Sequence, residues 1–336
     1  MNKTLLKTMI DGGYINVNKH LTADLFIYNY TSSAQYEQMW NEVTLQCRGL
    51  IMDNELNIIA RPLLKFFNLE ELENTRIPNE HFKVFDKLDG SMGILYFIDD
   101  EPFIATRGSF NSKQAAKANQ ILQEKYQHTF KNLNKDLTYI FEIIYPQNRI
   151  VVDYGNKEDL ILLAMINSAT GQELLLPDIG FPLVKEYNGI NDFETLHLLE
   201  EENREGFVVK FDSGFRLKVK FSEYTRLHYI MANVSNRSIW LHLSEGRELD
   251  EILNVVPDEF YNWVRKTEKN LHILYKGIED KAKSEFKVLE DRRTTADYFK
   301  TCTYPAIMFG MLDKKRYSEK IWRMIKPSFE KPFLNA

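Results

Sequence analysis

Cysteine is nearly absent. Two residues in 336, Cys47 and Cys302, are too few and too far apart for a disulfide framework or a zinc site, and both read as small packing residues. Long hydrophobic runs are missing as well: the longest, LILLAMI at 160–166, falls far short of the roughly 18 residues that a membrane span needs. The amino terminus lacks the uninterrupted apolar stretch of a signal peptide, so a cytoplasmic location is expected. Nor is there a surplus of positive charge. A formal net charge of −5 argues against coating nucleic acid by bulk attraction, while leaving room for a local basic groove. Residues 240–336 are slightly basic, 18 Lys and Arg against 16 Asp and Glu, mostly through DKKRYSEKIWRMIKPSFEKP, which reads as a soluble helix face. No repeat or low-complexity segment is present.

What is present is organised in two parts, as expected for a chain longer than one core usually serves. Residues 48–221 alternate β-rich runs with turn signals: RGLIMD, FKVFDKLDG, MGILYFIDD, PFIATRG, LTYIFEIIY, RIVVDYG, DLILLAMIN, GFVVKF and FRLKVKF. An α+β domain rich in antiparallel sheet follows from this pattern. Two helices are expected to interrupt it, one over 112–133 with Ser112 as its cap and one near FETLHLLEEEN. Beyond about residue 222 the pattern is helical, with breaks expected at Pro257, around Gly277 and near Pro305. Turn-forming residues in NVSNRS place the domain boundary in this region, giving 1–238 as the sheet domain and 239–336 as a smaller all-helical domain.

The sheet part carries VFDKLDGSMGI at 84–94, in which Lys87 precedes Asp89 and Gly90. Taken alone, Lys-x-Asp-Gly is a weak signal. A lysine amine can attack the α-phosphorus of a nucleoside triphosphate and hold the nucleotide as a phosphoramidate, activated for transfer to a second acceptor. For this the amine must lose its proton, which nearby cations or a metal ion would promote. Further lysines should therefore converge on the site.

They occur in EGFVVKFDSGFRLKVKF at 205–221, which reads as a hairpin about the turn Asp212-Ser213-Gly214. In its second strand Arg216, Lys218 and Lys220 share one face, opposite Phe215, Leu217, Val219 and Phe221. Pairing the strands about Ser213 sets Val208 opposite Lys218 and Gly206 opposite Lys220, which turns Glu205 toward the apolar face. Glu205 therefore either precedes the strand proper or is re-aimed by a bulge at Gly206; beside the lysine strip it would suit magnesium. Glu142, in TYIFEIIYP, sits amid apolar neighbours, where a lone carboxylate is costly unless paired or bound; otherwise it faces solvent on an edge strand. Arg48 in QCRGLIMD, Lys65 in RPLLKFFNLEE and Arg107 in ATRGSF each stand where a cation could reach phosphate. Phe66 and Phe67 read as core.

Together these stretches resemble the T4-type RNA ligase 1 family of ATP-dependent RNA ligases, within the covalent nucleotidyltransferases. KLDGS resembles motif I, FEIIYPQNRIVV motif III, EGFVV motif IV and LKVKF motif V; CRGLIMD, RPLLKFFNLEE and TRGSFNSKQAAKAN extend the similarity over about residues 25–228. The resemblance implies that Lys87 takes AMP from ATP, and that Asp89 and Glu205 help hold magnesium or manganese. It places Glu142 at the ribose, Lys218 and Lys220 on the α-phosphate, and Arg48, Lys65 and Arg107 around the nucleotide. Lys218 would orient the α-phosphate or help deprotonate Lys87, and Tyr224 sits where the family carries a tyrosine. The implied substrates are ATP and RNA with 5′-phosphate and 3′-hydroxyl ends, cleaved tRNA among them if the helical tail selects structured RNA, with the protein acting as a monomer in RNA repair.

Two positions depart from the family pattern: Leu88 where an acidic residue is common, and Arg107 where a lysine is familiar. No OB-type strand pattern or motif VI follows motif V, which speaks against a DNA ligase or a capping enzyme. Two rival readings are another covalent nucleotidyltransferase, separable by nucleotide choice in labelling Lys87, and a degenerate ligase fold that binds RNA ends without catalysis.

Overall fold

The computed structural model describes residues 1–72, 77–253 and 258–330. It divides into two units, Met1–Thr225 and Arg226–Ala336. Three sheets build the first unit. One has the order β1 (Ile15–Lys19), β2 (Leu25–Tyr30), β3 (Arg48–Asp53), β4 (Ile58–Ala60). The remaining strands are β5 (Phe67–Asn68), β6 (Phe82–Asp86), β7 (Ser91–Ile98), β8 (Glu101–Thr106), β9 (Leu137–Ile144), β10 (Asp159–Asn167), β11 (Glu173–Leu174), β12 (Glu186–Tyr187), β13 (Gly206–Phe211) and β14 (Arg216–Lys220). They form two five-stranded sheets, β11-β10-β9-β7-β8 and β12-β6-β13-β14-β5. Every pairing between these strands is antiparallel except β14 with β5.

The helices are α1 (Lys3–Asp11), α2 (Ser32–Tyr36), α3 (Lys113–Tyr126), α4 (Ser222–Asn233), α5 (Asn236–Ser244), α6 (Asp250–Leu253), α7 (Asp258–Glu285), α8 (Arg292–Thr301), α9 (Pro305–Leu312) and α10 (Ser318–Met324). The division between the units falls within α4, and the expected boundary at 238/239 falls within α5.

Strand periodicity explains where the core lies. Along β9, Tyr139, Phe141 and Ile143 pack with Ala118, Ile121 and Leu122 of α3. Ile140 points the other way, into a cluster with Ile27 and Ile51 of the first sheet. Glu142 shares the face of Ile140, and β9 is the central strand of its sheet; the edge-strand alternative for Glu142 is thereby excluded. The Ser112 hydroxyl accepts from the Ala115 amide at 3.1 Å and caps α3 as expected. The helix ends at Tyr126 and continues as a 3-10 turn over Gln127–Asn132. The second expected helix is a 3-10 segment, Phe193–Leu199.

Two expectations are corrected. RIVVDYG forms no strand; the amides of Val151 and Val152 are held by the Asp89 carboxylate at 2.7 and 2.8 Å, so they do not join a ladder. Gly277 does not break its helix, since α7 runs through it. A single glycine costs only about 1 kcal/mol, and α7 buries Val264, Leu271 and Ala282 along its length. Pro305 occupies the first turn of α9, as its missing N–H allows, while Pro257 lies outside the described residues.

In the second unit Phe299, Ile307, Met308 and Ile321 close on Ala282, and the Trp240 indole donates to the Trp322 carbonyl at 2.8 Å. Among the described residues no helix is long and apolar enough to cross a membrane.

Gly206 fixes how the third sheet meets Lys87. Its φ is +140°, and a Cβ at this position would stand only 2.1 Å from the Val219 carbonyl oxygen, so no side chain fits. Gly206→Ala is expected to destabilise the protein by about 2–4 kcal/mol, read as a lowered denaturation midpoint with unchanged m-value.

Candidate active site

β6 delivers Lys87, and the start of β13 secures it. Phe207 pairs with Asp86 across β13 and β6, and the Lys87 amide donates to the Gly206 carbonyl at 3.0 Å. The hairpin register is the one read from sequence, with Val208 opposite Lys218 and Gly206 opposite Lys220. The first alternative for Glu205 is the one found: it immediately precedes β13, whose register with β14 runs unbroken from Gly206, and the φ of Gly206 is positive. Its buried carboxylate lies 2.7 Å from Lys87 Nζ and 3.3 Å from Lys220 Nζ.

A cavity of about 640 Å³ opens beside Lys87, with Arg48, Phe66, Glu142 and Lys218 in its wall. Lys218 Nζ lies 4.8 Å from the centre of the Phe66 ring, and the Arg48 guanidinium 5.5 Å from it. Phe66 is thus a cavity residue, a role missed in the sequence because FF reads as core. Among the described residues Lys218 has no acidic partner within ion-pair distance. Burial, together with the charges of Arg48, Lys87, Lys65 and Lys220, lowers its pKa to about 6. Glu142 moves the opposite way, to about 8: burial dominates, Lys87 and Arg48 oppose it, and the negative charges of Glu205 and Asp89 add to it.

Other expected site residues surround this centre. Lys65 lies 4.5 Å from the Phe67 ring and 5.4 Å from that of Trp40. Burial lowers its pKa and Glu71 opposes this, while Arg48, Arg107 and Lys220 lower it further. Arg107 donates to the Tyr30 hydroxyl at 3.3 Å. Neither Lys65 nor Arg107 lines the cavity wall.

Arg216 shares the face of Lys218 as read from the sequence, but it is paired. Its guanidinium bonds Glu173 of β11 at 2.5 and 2.6 Å, and Lys210 reaches the same carboxylate at 2.8 Å. Burial opposes ionisation of Glu173, but these two cations hold its pKa below the usual range.

Both carboxylate oxygens of Asp89 accept hydrogen bonds from the protein. One oxygen accepts the Val151 and Val152 amides, the other accepts the Tyr224 hydroxyl at 2.8 Å, and its own amide donates to the Tyr154 hydroxyl at 2.8 Å. Gly90 lets this turn approach β9: a Cβ there would stand 2.6 Å from the Ile143 carbonyl oxygen. Tyr224 is a buried partner of Asp89.

No group of three or more His, Cys, Asp and Glu among the described residues could cage a metal ion. The donor set that remains, the carboxylates of Glu142 and Glu205, suits a hard dication that keeps most of its waters and leans on a bound phosphate. Glu142 supports that fit: it has no hydrogen-bond or ion-pair partner among the described residues, and it stays protonated unless positive charge arrives.

These shifts give two pH signatures of opposite slope. Between about pH 6 and the ordinary lysine range the unfolded chain binds a proton at position 218 that the folded chain does not, so the penalty shrinks as pH rises. Between the ordinary carboxylate range and about pH 8 the folded chain keeps a proton on Glu142 that the unfolded chain has lost, so that penalty grows as pH rises. Lys218→Met and Glu142→Gln are each expected to be about 1–4 kcal/mol more stable than the parent at pH 7. In denaturant melts across pH 5–10, the Lys218→Met advantage should fall with pH and the Glu142→Gln advantage rise up to about pH 8.

Comparison with known proteins bears on the family and the fold. An RNA ligase family model matches residues 46–224. A Thermovibrio ammonificans protein provisionally named an RNA ligase is 32% identical over 210 residues, 57% of this chain and 55% of that protein. A protein of Autographa californica nuclear polyhedrosis virus, provisionally named a bifunctional polynucleotide kinase/RNA ligase, is 26% identical over 282 residues, 75% of this chain and 40% of its own. The chain thus spans about half the length of these curated relatives. Among solved structures, an archaeal ATP-dependent RNA ligase superposes with a TM-score of 0.50 at 16% identity, covering 88% of this chain and 85% of that one, a likeness of fold. With its family model covering more than half of the sequence, this chain belongs to the RNA ligase family.

Proposed function

We propose that the chain is an ATP-dependent RNA ligase that joins 5′-phosphate and 3′-hydroxyl RNA ends through a lysyl-AMP intermediate on Lys87 and an adenylylated RNA 5′ end. The observation that carries this reading is a lysine nucleophile set beside an acid, next to a cavity in which Lys218 has no acidic partner among the described residues. Buried positive charge left unanswered in this way suits a polyphosphate.

In the first step the Lys87 amine attacks the α-phosphorus, a nitrogen–phosphorus bond forms, the bond to pyrophosphate breaks, and pyrophosphate leaves. Glu205 Oε2, at 2.7 Å, is the acceptor within reach of the proton that the amine must give up. Lys218, close to neutral when the cavity holds no anion, gains its charge as the phosphate approaches and stabilises it. AMP then passes to the RNA 5′-phosphate, and an RNA 3′-hydroxyl displaces it. Each is an in-line transfer served mainly by positioning and charge. Magnesium or manganese, held by Glu205 and Glu142 through water, would neutralise charge on the triphosphate. Asp89 braces the motif instead, through the Val151, Val152 and Tyr224 bonds.

Protein incubated with ATP radiolabelled at the α-phosphate, with magnesium, is expected to become covalently labelled, and Lys87→Ala is not. Persistent label in that variant refutes the assignment. With unlabelled ATP, 5′-phosphorylated RNA should circularise in preference to DNA of the same length; equal circularisation of both would rule out RNA as the preferred substrate.

A further inference from the structure

We infer that Arg204, one residue before Glu205, is a positioning residue for the Lys87 nucleophile; this rests on the ligase reading above. Arg204 Nη2 donates to Asp86 Oδ1 at 2.6 Å and to the Tyr187 hydroxyl at 2.7 Å. Its guanidinium lies 5.1, 4.9 and 5.6 Å from the rings of Tyr187, Phe207 and Phe221. Those rings themselves meet edge to face, Tyr187 on Phe207 at 5.2 Å and Phe207 on Phe221 at 5.4 Å. An arginine boxed by three aromatics loses little further freedom when it forms bonds, so it acts as a fixed point. An exposed carboxylate, Glu201, takes its other arm at 2.9 Å.

The position of this fixed point in the chain gives it its role. Asp86 directly precedes Lys87, and Arg204 directly precedes Glu205. The Asp86–Arg204 pair therefore ties together the backbones that carry the two halves of the 2.7 Å Lys87–Glu205 contact. The pair is largely buried, with 15% and 21% of the side chains exposed, so it is not a loose surface ion pair. Arg204 does not line the cavity, whereas Asp86 does, so the ATP half-saturation of Asp86→Asn is the check on direct contact with the nucleotide. The contact that the pair steadies is that of Lys87 with Glu205, and Lys87 is a nucleophile only in the first step. Losing the tie should slow attack on the α-phosphorus without weakening nucleotide binding, and should spare joining that starts from RNA already adenylylated at its 5′ end.

The test compares full-length wild type, Arg204→Gln, Arg204→Lys and Asp86→Asn in two assays. One is the single-turnover rate of lysyl-AMP formation as ATP is varied. The other is sealing of chemically pre-adenylylated RNA without ATP. Arg204→Gln and Asp86→Asn are expected to lower the maximal rate of lysyl-AMP formation about 30-fold or more, with half-saturation by ATP changed less than about threefold and sealing within about threefold of wild type. Arg204→Lys should recover part of the lost rate. Asp86→Asn leaves the aromatic box intact, so it carries the test if Arg204→Gln fails to fold. Equal losses in both assays, or normal lysyl-AMP formation by Asp86→Asn, would overturn the positioning role. Wild-type protein that forms no lysyl-AMP would instead sink the ligase reading, and the positioning role with it.

Discussion

Buried positive charge without enough negative charge to answer it is the constraint on which this site depends. Lys87 and Lys220 share Glu205, and Arg216 and Lys210 share Glu173. Among the described residues nothing comparable answers Lys218, for which the Phe66 ring is the partner. A cation–π contact is worth about 0.5–2 kcal/mol, less than the several kcal/mol that desolvating an ammonium costs. The lysine resolves the deficit by giving up its proton, with a pKa near 6. An arginine cannot do this as readily, although burial lowers the pKa of Arg48 in the same wall. The cavity is therefore poised for an anion, whose arrival would favour the charged form of Lys218.

Backbone features make that arrangement possible. A strand period of two places Lys218 and Lys220 on one face and leaves Leu217, Val219 and Phe221 for the core. Gly206 supplies a backbone angle that other residues rarely adopt and a space that no side chain could fill, which lets Glu205 meet the lysines instead of the core. Below Lys87, Asp89 gathers two amides from an irregular segment and a tyrosine hydroxyl from α4. These amides would otherwise be unsatisfied buried donors, so the brace and the loop stabilise each other.

The sequence revealed the local features of this architecture. The hairpin register, the lysine-bearing face, the Ser112 cap and the strands RGLIMD and GFVVKF all follow from periodicity and turn chemistry, which act over a few residues. What could not be read depends on partners distant in sequence. RIVVDYG has strand composition but lacks a neighbouring strand, because Asp89 takes its amides. Arg216 resembles Lys218 by position, yet Glu173 approaches one and not the other. Phe66 and Phe67 look alike in the sequence, but only Phe66 lines the cavity.

Two carboxylates near Lys87 show why composition alone could not assign roles. Glu205 lies against two ammonium groups within 3.3 Å, whereas Glu142 sits on a central strand with no partner among the described residues and is pushed to about 8. Environments that separate the behaviour of two like groups are a means of giving them different work in one site. Glu205 is held against the amines of Lys87 and Lys220. A cation entering the cavity would favour the charged form of Glu142, just as an anion would favour that of Lys218. A ligand carrying both, such as a polyphosphate with a divalent ion, would move a proton from one side chain to the other's neighbourhood with little change in the total bound. Either component alone would take up or release a proton, so binding of the complete ligand should depend less on pH near neutrality than binding of its parts.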